Sequence, residues 1–317
     1  VVGGGAAGMM AAISARRLGA KVTILERNSR VGKKLLATGN GRCNFTNINT
    51  DLTYYHGANP EFAQSALRSF TADDTIRFFE KLGIAHKVEE RGKVFPMSNQ
   101  ASSVLDVLRY ELTELGVEVV TEAWVSEIVP KAAGFLLFLK NGEVYQGDRV
   151  IIATGGRAMP ASGSDGSGYD LVKRMGHTIT DVFPALVQLK LEGPYFKRMA
   201  GVKFVGTAEI IHKHRSLAKD RGDILFADYG VSGPPIFQIS RRAGELLTAG
   251  KEGYLKLTII DTFSKEELSK VMAKRFQIGS TKPVDFSLVG LINKRLIPVV
   301  LMEAGLHNLK RPVAELT

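Results

Sequence analysis

The sequence has a single cysteine, Cys43, among 317 residues. With no second thiol, an intramolecular disulfide, a Cys-x-x-Cys redox pair and a cysteine-built zinc site are all excluded, and a reducing cytoplasm is the compartment that fits. No apolar run approaches the ~20 residues of a membrane span. The N-terminus also lacks the basic and apolar regions of a signal peptide. The reading is therefore cytoplasmic, without a membrane partner. Long runs of one charge are missing too. Lys plus Arg number 42 against 32 acidic residues, a net charge of +10, which suggests polyanionic company in the form of nucleic acid or smaller phosphorylated ligands. The basic residues are scattered, with no aromatic interleaving, and that argues against nucleic acid as the partner. An initiator Met is absent, and VVGGG leaves the opening strand short of the usual ~5 residues; residues before Val1 are expected.

The sequence is 44% hydrophobic, with 33 Gly, and its length suits about two domains with cores of their own. Ala6 to Leu18 carries apolar residues at helical spacing and is stopped by Gly19, and Lys21 to Leu25 reads as a strand. The opening is thus a βαβ unit. Periodicity vanishes from Arg27 to Gly57. Helical patterns follow at 61–70, 73–82 and 102–115. A strand cluster at 117–120, 124–129, 135–139 and 143–145 reads as a β-meander, with Asn141-Gly142 as a hairpin turn. Arg149 to Ala153 reads as a strand from the middle of a parallel sheet. Beyond Pro184 the pattern is β-rich at 186–191, 202–211, 224–226 and 254–260, then helical at 265–276 and 287–304. The expected division is 1–190 and 191–317.

Gly3-Gly4-Gly5-Ala6-Ala7-Gly8 satisfies G-x-G-x-x-G between a strand and a helix, with Glu26 at the end of the next strand. Gly3 makes the tight turn, Gly5 admits a pyrophosphate to the backbone, and Gly8 lets helix and strand pack closely. Bare N–H groups at the helix start face the anion. Glu26 can accept both hydroxyls of an adenosine ribose while repelling a 2′-phosphate. A nicotinamide-only domain would continue through an ordinary helix to a third parallel strand. RNSRVGKKLLATGNGRCNFTN stands there instead, a glycine-rich, cationic backbone suited to FAD. Lys33, Lys34 and Arg42 either neutralise an anion there or form a solvated basic loop.

These residues carry a resemblance. GGGAAG, Glu26-Arg27, GKKLLATGNGRCNFTN, ATGG at 153–156, the Gly/Ser spacing from Pro160 to Tyr169, and FADYGVSGPPIFQIS resemble the BaiN/YhiN-like bacterial flavoproteins, also called the aminoacetone oxidase family. The match spans nearly the whole chain. The resemblance implies an α/β fold, with a Rossmann-like FAD-binding domain (a parallel sheet with a β-meander) and an inserted domain of β-barrel and helical parts. It implies non-covalent FAD. The pyrophosphate would lie at Gly3, Gly5, Ala6, Ala7 and Gly8, the ribose at Glu26 and the adenine side at Arg27. Lys34 and Gly41, Arg42, Cys43 and Asn44 would hold the middle of FAD, Val125 the adenine through its backbone, and Ala153, Thr154, Gly155 and Gly156 the strand end beside the cofactor. Relatives continue through a C-terminal segment that completes the flavin sheet. The chain stops at KRPVAELT, so FAD is expected to bind weakly or not at all if that boundary is the protein's own, and to bind the parent protein otherwise.

A flavin performs hydride chemistry at its own ring, so the protein has to position substrate and supply a proton. The expected activity is an FAD-dependent oxidoreductase moving hydride between flavin N5 and a small or flat hydrophobic organic molecule. NAD(P)H is a candidate electron donor. The alternative is a basic flavoprotein-like module that binds RNA, with the nucleotide in a structural role. No catalytic residue is assigned; Arg42, Tyr169, His177 and Tyr229 are candidate donors and anchors. Cys43 reads as a buried filler more readily than as a reactive thiol. His212 and His214, on one face of an expected strand, lack the further ligands a metal needs, so no metal is expected.

Overall fold

A computed structural model describes residues Val1–Leu316, which divide into two compact units between Thr180 and Asp181. The division falls ahead of residue 191 because Leu189–Lys190 pairs with a strand of the second unit.

The first unit opens at Val2, which bridges in parallel to Leu25 on one side and Ile152 on the other. Helix α1 (Ala6–Arg17) and strand β1 (Thr23–Leu25) complete the expected βαβ start. There follow β2 (Thr46–Asn47), α2 (Gln64–Ser69), α3 (Ala72–Lys81), β3 (His86–Val88), β4 (Lys93–Pro96), α4 (Ala101–Glu114) and β5 (Glu118–Val120). Strand β5 does not belong to the meander assigned to it from sequence. It pairs in parallel with β1, Ile24 opposite Val119. The third parallel strand therefore exists, but it is reached through a crossover of three helices and a small antiparallel sheet, ordered β2-β4-β3. The meander proper is β6 (Val125–Lys131), β7 (Gly134–Leu139) and β8 (Val144–Gly147). Its last turn is made by Asn141-Gly142, where Gly142 takes φ 91° and Asn141 Oδ1 accepts from the Glu143 amide.

A second reading of the parallel sheet changes as well. Residues 149–153 sit at its edge among the described residues: Ile152 bridges to Val2 alone, and Ile151 is 42% exposed. Helix α5 (Ser167–Arg174) then packs Leu171 into the core formed by Val2, Leu25, Val125, Ile128 and Leu139. A second core joins α1 to α4. Met9, Ala12 and Ile13 meet Ile24, Val104, Leu105, Leu108 and Leu112, and burying each larger side chain contributes about 1.5–3 kcal/mol.

The second unit begins with β9 (Leu189–Lys190) and α6 (Phe196–Met199), continues through β10 (Lys203–His212), β11 (Arg215–Ala227) and β12 (Gly230–Ser232), and then α7 (Pro234–Thr248) and β13 (Tyr254–Thr258). In place of a closed barrel, its strands form an open antiparallel sheet in the order β13-β10-β11-β12-β9. Helix α7, which falls in a stretch left without an assignment from sequence, covers that sheet through Ile236, Ile239 and Leu246. Proline is tolerated in a first helical turn, whose amide hydrogens lack intrahelical partners. Helix α8 (Lys265–Ile278) matches expectation, whereas the expected 287–304 helix is broken into α9 (Val284–Ser287) and α10 (Ile297–Glu303). Gly290 at φ 82° and Pro298 in the first turn of α10 account for the interruption. Lys213 and His214 occupy the β10–β11 turn with positive φ, so His212 and His214 do not share a strand face, and no metal-binding cluster occurs among the described residues.

The closest backbone approach in the first unit is at the glycine turn. A Cβ on Gly8 would lie 1.9 Å from the Gly3 carbonyl oxygen, so only glycine allows α1 to seat there. Gly8→Ala should therefore destabilise this unit by about 1–3 kcal/mol through overpacking, read as a lower urea midpoint; an unchanged midpoint would show that α1 can shift without cost.

Candidate functional site

The first unit contains a cavity of about 990 Å³ that runs past the glycine turn. Four backbone segments form its wall. In the first, Gly3, Gly5, Ala6 and Ala7 present the start of α1. Gly5 caps that helix with extended backbone and no side-chain cap, and a Cβ there would meet nothing within 4 Å. The amides of the first turn have no partner within the helix, so their hydrogens and the positive end of the helix dipole face open space. Gly3, at φ 100°, is needed for another reason: a Cβ there would lie 2.6 Å from the Ala153 oxygen, at the end of the adjacent parallel strand.

The second segment is Glu26-Arg27-Asn28. Glu26 is only 6% exposed. Its Oε2 accepts from the Gly4 amide at 2.6 Å, and its Oε1 accepts from Asn28, the amide at 2.8 Å and Nδ2 at 2.6 Å. The carboxylate therefore turns toward the glycine turn while lining the cavity. Arg27 lies 4.7 Å over the Trp124 ring and pairs with Asp165 at 2.9 Å. Hydrogen bonds from the Ser167 amide and hydroxyl, and then from Arg27, hold the Asp165 carboxyl far below the ordinary carboxylate range. Asn28 Nδ2 also reaches the Ser162 carbonyl at 3.2 Å. The 162–167 segment is thus tied to the end of β1 at two points.

The third segment carries Lys34, Cys43 and Asn44. Between them Gly39 and Asn40 take left-handed φ of 56° and 58°, and the Cys43 amide donates to Thr38 to close the loop. Cys43 itself adopts φ 61°, a conformation that costs a non-glycine residue about 1–2 kcal/mol. Asn44 is held from β4, whose Val94 amide donates to its Oδ1 at 3.2 Å. Burial lowers the Lys34 ammonium below the ordinary lysine value. The fourth segment is Ala153, Thr154 and Gly155, and Val125 and Trp124 close the far end.

Four residues expected at the cofactor stand off this wall. Gly8 is spent on helix packing. Gly41 and Gly156 lie beside the wall segments without lining the cavity. Arg42 is engaged elsewhere: its guanidinium pairs with Glu89 at 3.0 Å and lies 4.0 Å over the Phe95 ring. Among the candidate donors, Tyr169 lines the cavity and His177 does not, while Tyr229 belongs to the second unit and donates to Gln188. Sequence reasoning missed Asn28, Trp124 and Ser162. Asn28 adjoins Glu26 and Arg27, and that adjacency was the available signal.

The family model described as the HI0933-like protein Rossmann domain matches residues 1–291. The chain belongs to this family. A 3-dehydro-bile acid delta(4,6)-reductase of Clostridium scindens is 40% identical over 303 residues, covering 95% of this chain and 74% of the relative. A ribosomal RNA dihydrouridine synthase of Escherichia coli is 32% identical over 240 residues, 76% of this chain and 59% of the relative, and one of Haemophilus influenzae is 28% identical over 246 residues. The chain thus spans about three fifths of the length of both synthases. Membership in this FAD-binding Rossmann family makes the chain an FAD-dependent oxidoreductase by class. The reading as a module that only binds RNA, with the nucleotide in a structural role, is not favoured, because the relatives, including the two named for ribosomal RNA, are all named as enzymes. No helix among the described residues is long and apolar enough to cross a membrane.

Cys43 is 4% exposed, and burial pushes its thiol above the ordinary cysteine value, a shift only partly offset by a hydrogen bond with Thr38. The folded protein should therefore keep Cys43 as an unreactive thiol at about pH 8. An aromatic disulfide reagent should titrate it rapidly only after denaturant is added, and stoichiometric labelling of the native chain would contradict this.

Proposed function

We propose that FAD lies along this cavity and that the reaction is reduction of a carbon–carbon double bond conjugated to a carbonyl, in a flat hydrophobic organic substrate. The observation that carries the cofactor reading is one cavity that joins an uncapped helix start, the Glu26 carboxylate and the partly buried ammonium of Lys34. A pyrophosphate fits the space over Gly5, where nothing beyond the adjoining residues lies within 4 Å of a would-be Cβ. Its charge is met by the first-turn amides and by Lys34. The adenosine ribose falls to Glu26, and the adenine to the Val125 and Trp124 end. Glu26 accepts hydroxyl hydrogens and repels a phosphate on the 2′-oxygen, so this first nucleotide is unphosphorylated there.

When reduced, bound FAD supplies hydride at N5. NAD(P)H is the proposed source of the two electrons. What the chain itself contributes is position and a proton. Tyr169, the one candidate proton donor on the cavity wall, faces Gly156, where a Cβ would lie 3.0 Å from its hydroxyl oxygen. The names of the relatives support the substrate class. A 3-dehydro-bile acid with delta(4,6) unsaturation is a conjugated ketone, and dihydrouridine is uridine reduced at a double bond conjugated to a carbonyl. Both products arise when a hydride and a proton add across such a bond. The apolar share of the cavity wall, which includes Leu35, Phe45 and Phe79, suits the ring systems of such molecules.

The test is to add FAD to the purified protein, record the flavin spectrum, and follow reoxidation of the reduced flavin by a 3-oxo-4,6-diene steroid. Flavin bleached by NADH or dithionite should regain absorbance with one steroid double bond reduced per flavin. No flavin binding in a chain carrying its native ends would defeat the cofactor reading, and binding without reoxidation would defeat the substrate class.

Lys34 sets a pH dependence. Its free-state value is lowered by burial, and a bound diphosphate raises it again. Affinity for FAD should be flat below the free-state value and fall as pH rises from there to the value in the complex, where binding must take up a proton. Lys34→Met should bind FAD roughly tenfold more weakly or worse and lose this slope. A titration in which wild type and variant show the same pH profile would remove Lys34 from the diphosphate.

A further inference from the structure

We infer that Asn28 is a positioning residue that fixes the Glu26 carboxylate so that one acceptor position only, on Oε2, is left for a ribose hydroxyl. This inference rests on the FAD reading of the cavity and goes beyond it in naming how the ribose is read. An ionised carboxylate offers about four acceptor positions. Three are occupied: Oε2 accepts from the Gly4 amide at 2.6 Å, and Oε1 accepts from the Asn28 amide at 2.8 Å and from Asn28 Nδ2 at 2.6 Å. Both donors to Oε1 come from one residue, so the carboxylate cannot rotate without losing two bonds at once.

The orientation of the Asn28 amide is fixed by its surroundings. Its nitrogen lies between two groups that can only accept, Glu26 Oε1 and the Ser162 carbonyl oxygen at 3.2 Å. Turning the amide over would set an oxygen against both, so the nitrogen assignment follows from the network itself. Room for this approach comes from Gly163, at φ 98°, where a Cβ would lie 2.5 Å from Asn28 Nδ2. Asn28 is anchored in turn through its carbonyl oxygen, which accepts from the Glu122 amide at 3.0 Å. The expectation that Glu26 takes both ribose hydroxyls is thereby narrowed. One hydroxyl donates to Oε2, and the other finds no acceptor on this side chain.

Other charges surround the pair. Arg27 is committed to Asp165 and Lys140 lies over Trp124, while Lys33 and Lys34 line the same cavity and Glu122 sits on the neighbouring turn. The first measurement is calorimetric binding of ADP, 2′-deoxy-ADP and 3′-deoxy-ADP to the wild-type protein. Loss of one hydroxyl should weaken binding roughly tenfold or more, and loss of the other by less than about twofold. Equal penalties for both hydroxyls, or none for either, would overturn the inference.

The second measurement uses Asn28→Asp. At about pH 8 the new carboxylate opposes Glu26, and ADP and FAD should bind at least roughly tenfold more weakly. Toward about pH 5 a proton shared by the two carboxyls returns a donor to Oε1, and affinity should recover relative to wild type at the same pH. A merely structural asparagine would lower the melting temperature without giving the variant its own pH profile, and that result also overturns the inference. Wild-type protein that binds neither ADP nor FAD would sink the cofactor reading itself, whereas normal wild-type binding matched by Asn28→Asp at both pH values would sink only the role of Asn28.

Discussion

The contact between Gly8 and the Gly3 carbonyl is the constraint on which the first unit depends. A helix can begin that close to the strand before it only if no side chain intervenes, and a Cβ at Gly8 would fall 1.9 Å from that oxygen. The seating of α1 has two consequences. It buries Met9, Ala12 and Ile13 against α4, and it aims the unpaired amides of the first turn into the cavity. Stability and the proposed anion site thus issue from the same backbone geometry. Gly3 repeats the theme from the other side, since a Cβ there would strike Ala153 on the neighbouring parallel strand.

Around this turn the charges are arranged in two different states. Glu26 and Asp165 are satisfied by hydrogen bonds within the protein. Partial burial lowers the Lys34 ammonium below its ordinary value. A cavity whose one lining carboxylate, Glu26, is already held and whose Lys34 ammonium is partly buried favours an anion near Lys34, while near Glu26 it favours a neutral hydroxyl donor. That polarity suits the proposed dinucleotide, with its diphosphate beside the helix start and its sugar beside the strand end. The ion pair of Arg27 with Asp165, together with the bond from Asn28 to Ser162, keeps the 162–167 segment against the end of β1.

How much of this could be read in advance varied with the range of the interaction. The turn, α1, Glu26 and the hairpin at Asn141-Gly142 are local: each is specified by residues within a few positions, through φ, helical period or turn chemistry. The place of Glu118–Val120 was not local. As a short β-rich segment it suits a meander or a parallel sheet equally, and the choice was made by pairing with Thr23–Leu25 almost a hundred residues earlier in the chain. The same holds for residues 149–153, whose apolar run reads as central although Ile152 has a partner on one side only among the described residues. Arg42 is a third case. A cation in a glycine-rich loop looks free to meet an anion until folding brings Glu89 and Phe95 alongside it.

The sequence by itself determined the βαβ start, the glycine spacing, the acid at the end of β1 and the family to which the chain belongs, because each resides in contiguous residues whose backbone preferences are intrinsic. Only the tertiary structure decided which of the nearby polar groups meet. It drew Asn28 onto the Glu26 carboxylate, took Arg42 away to Glu89, left the Lys34 ammonium in the cavity wall and opened the second unit's sheet at β13 and β9. The physical reason is that burial and hydrogen-bond competition act among residues far apart in the chain, and those partners are chosen only when the chain closes on itself.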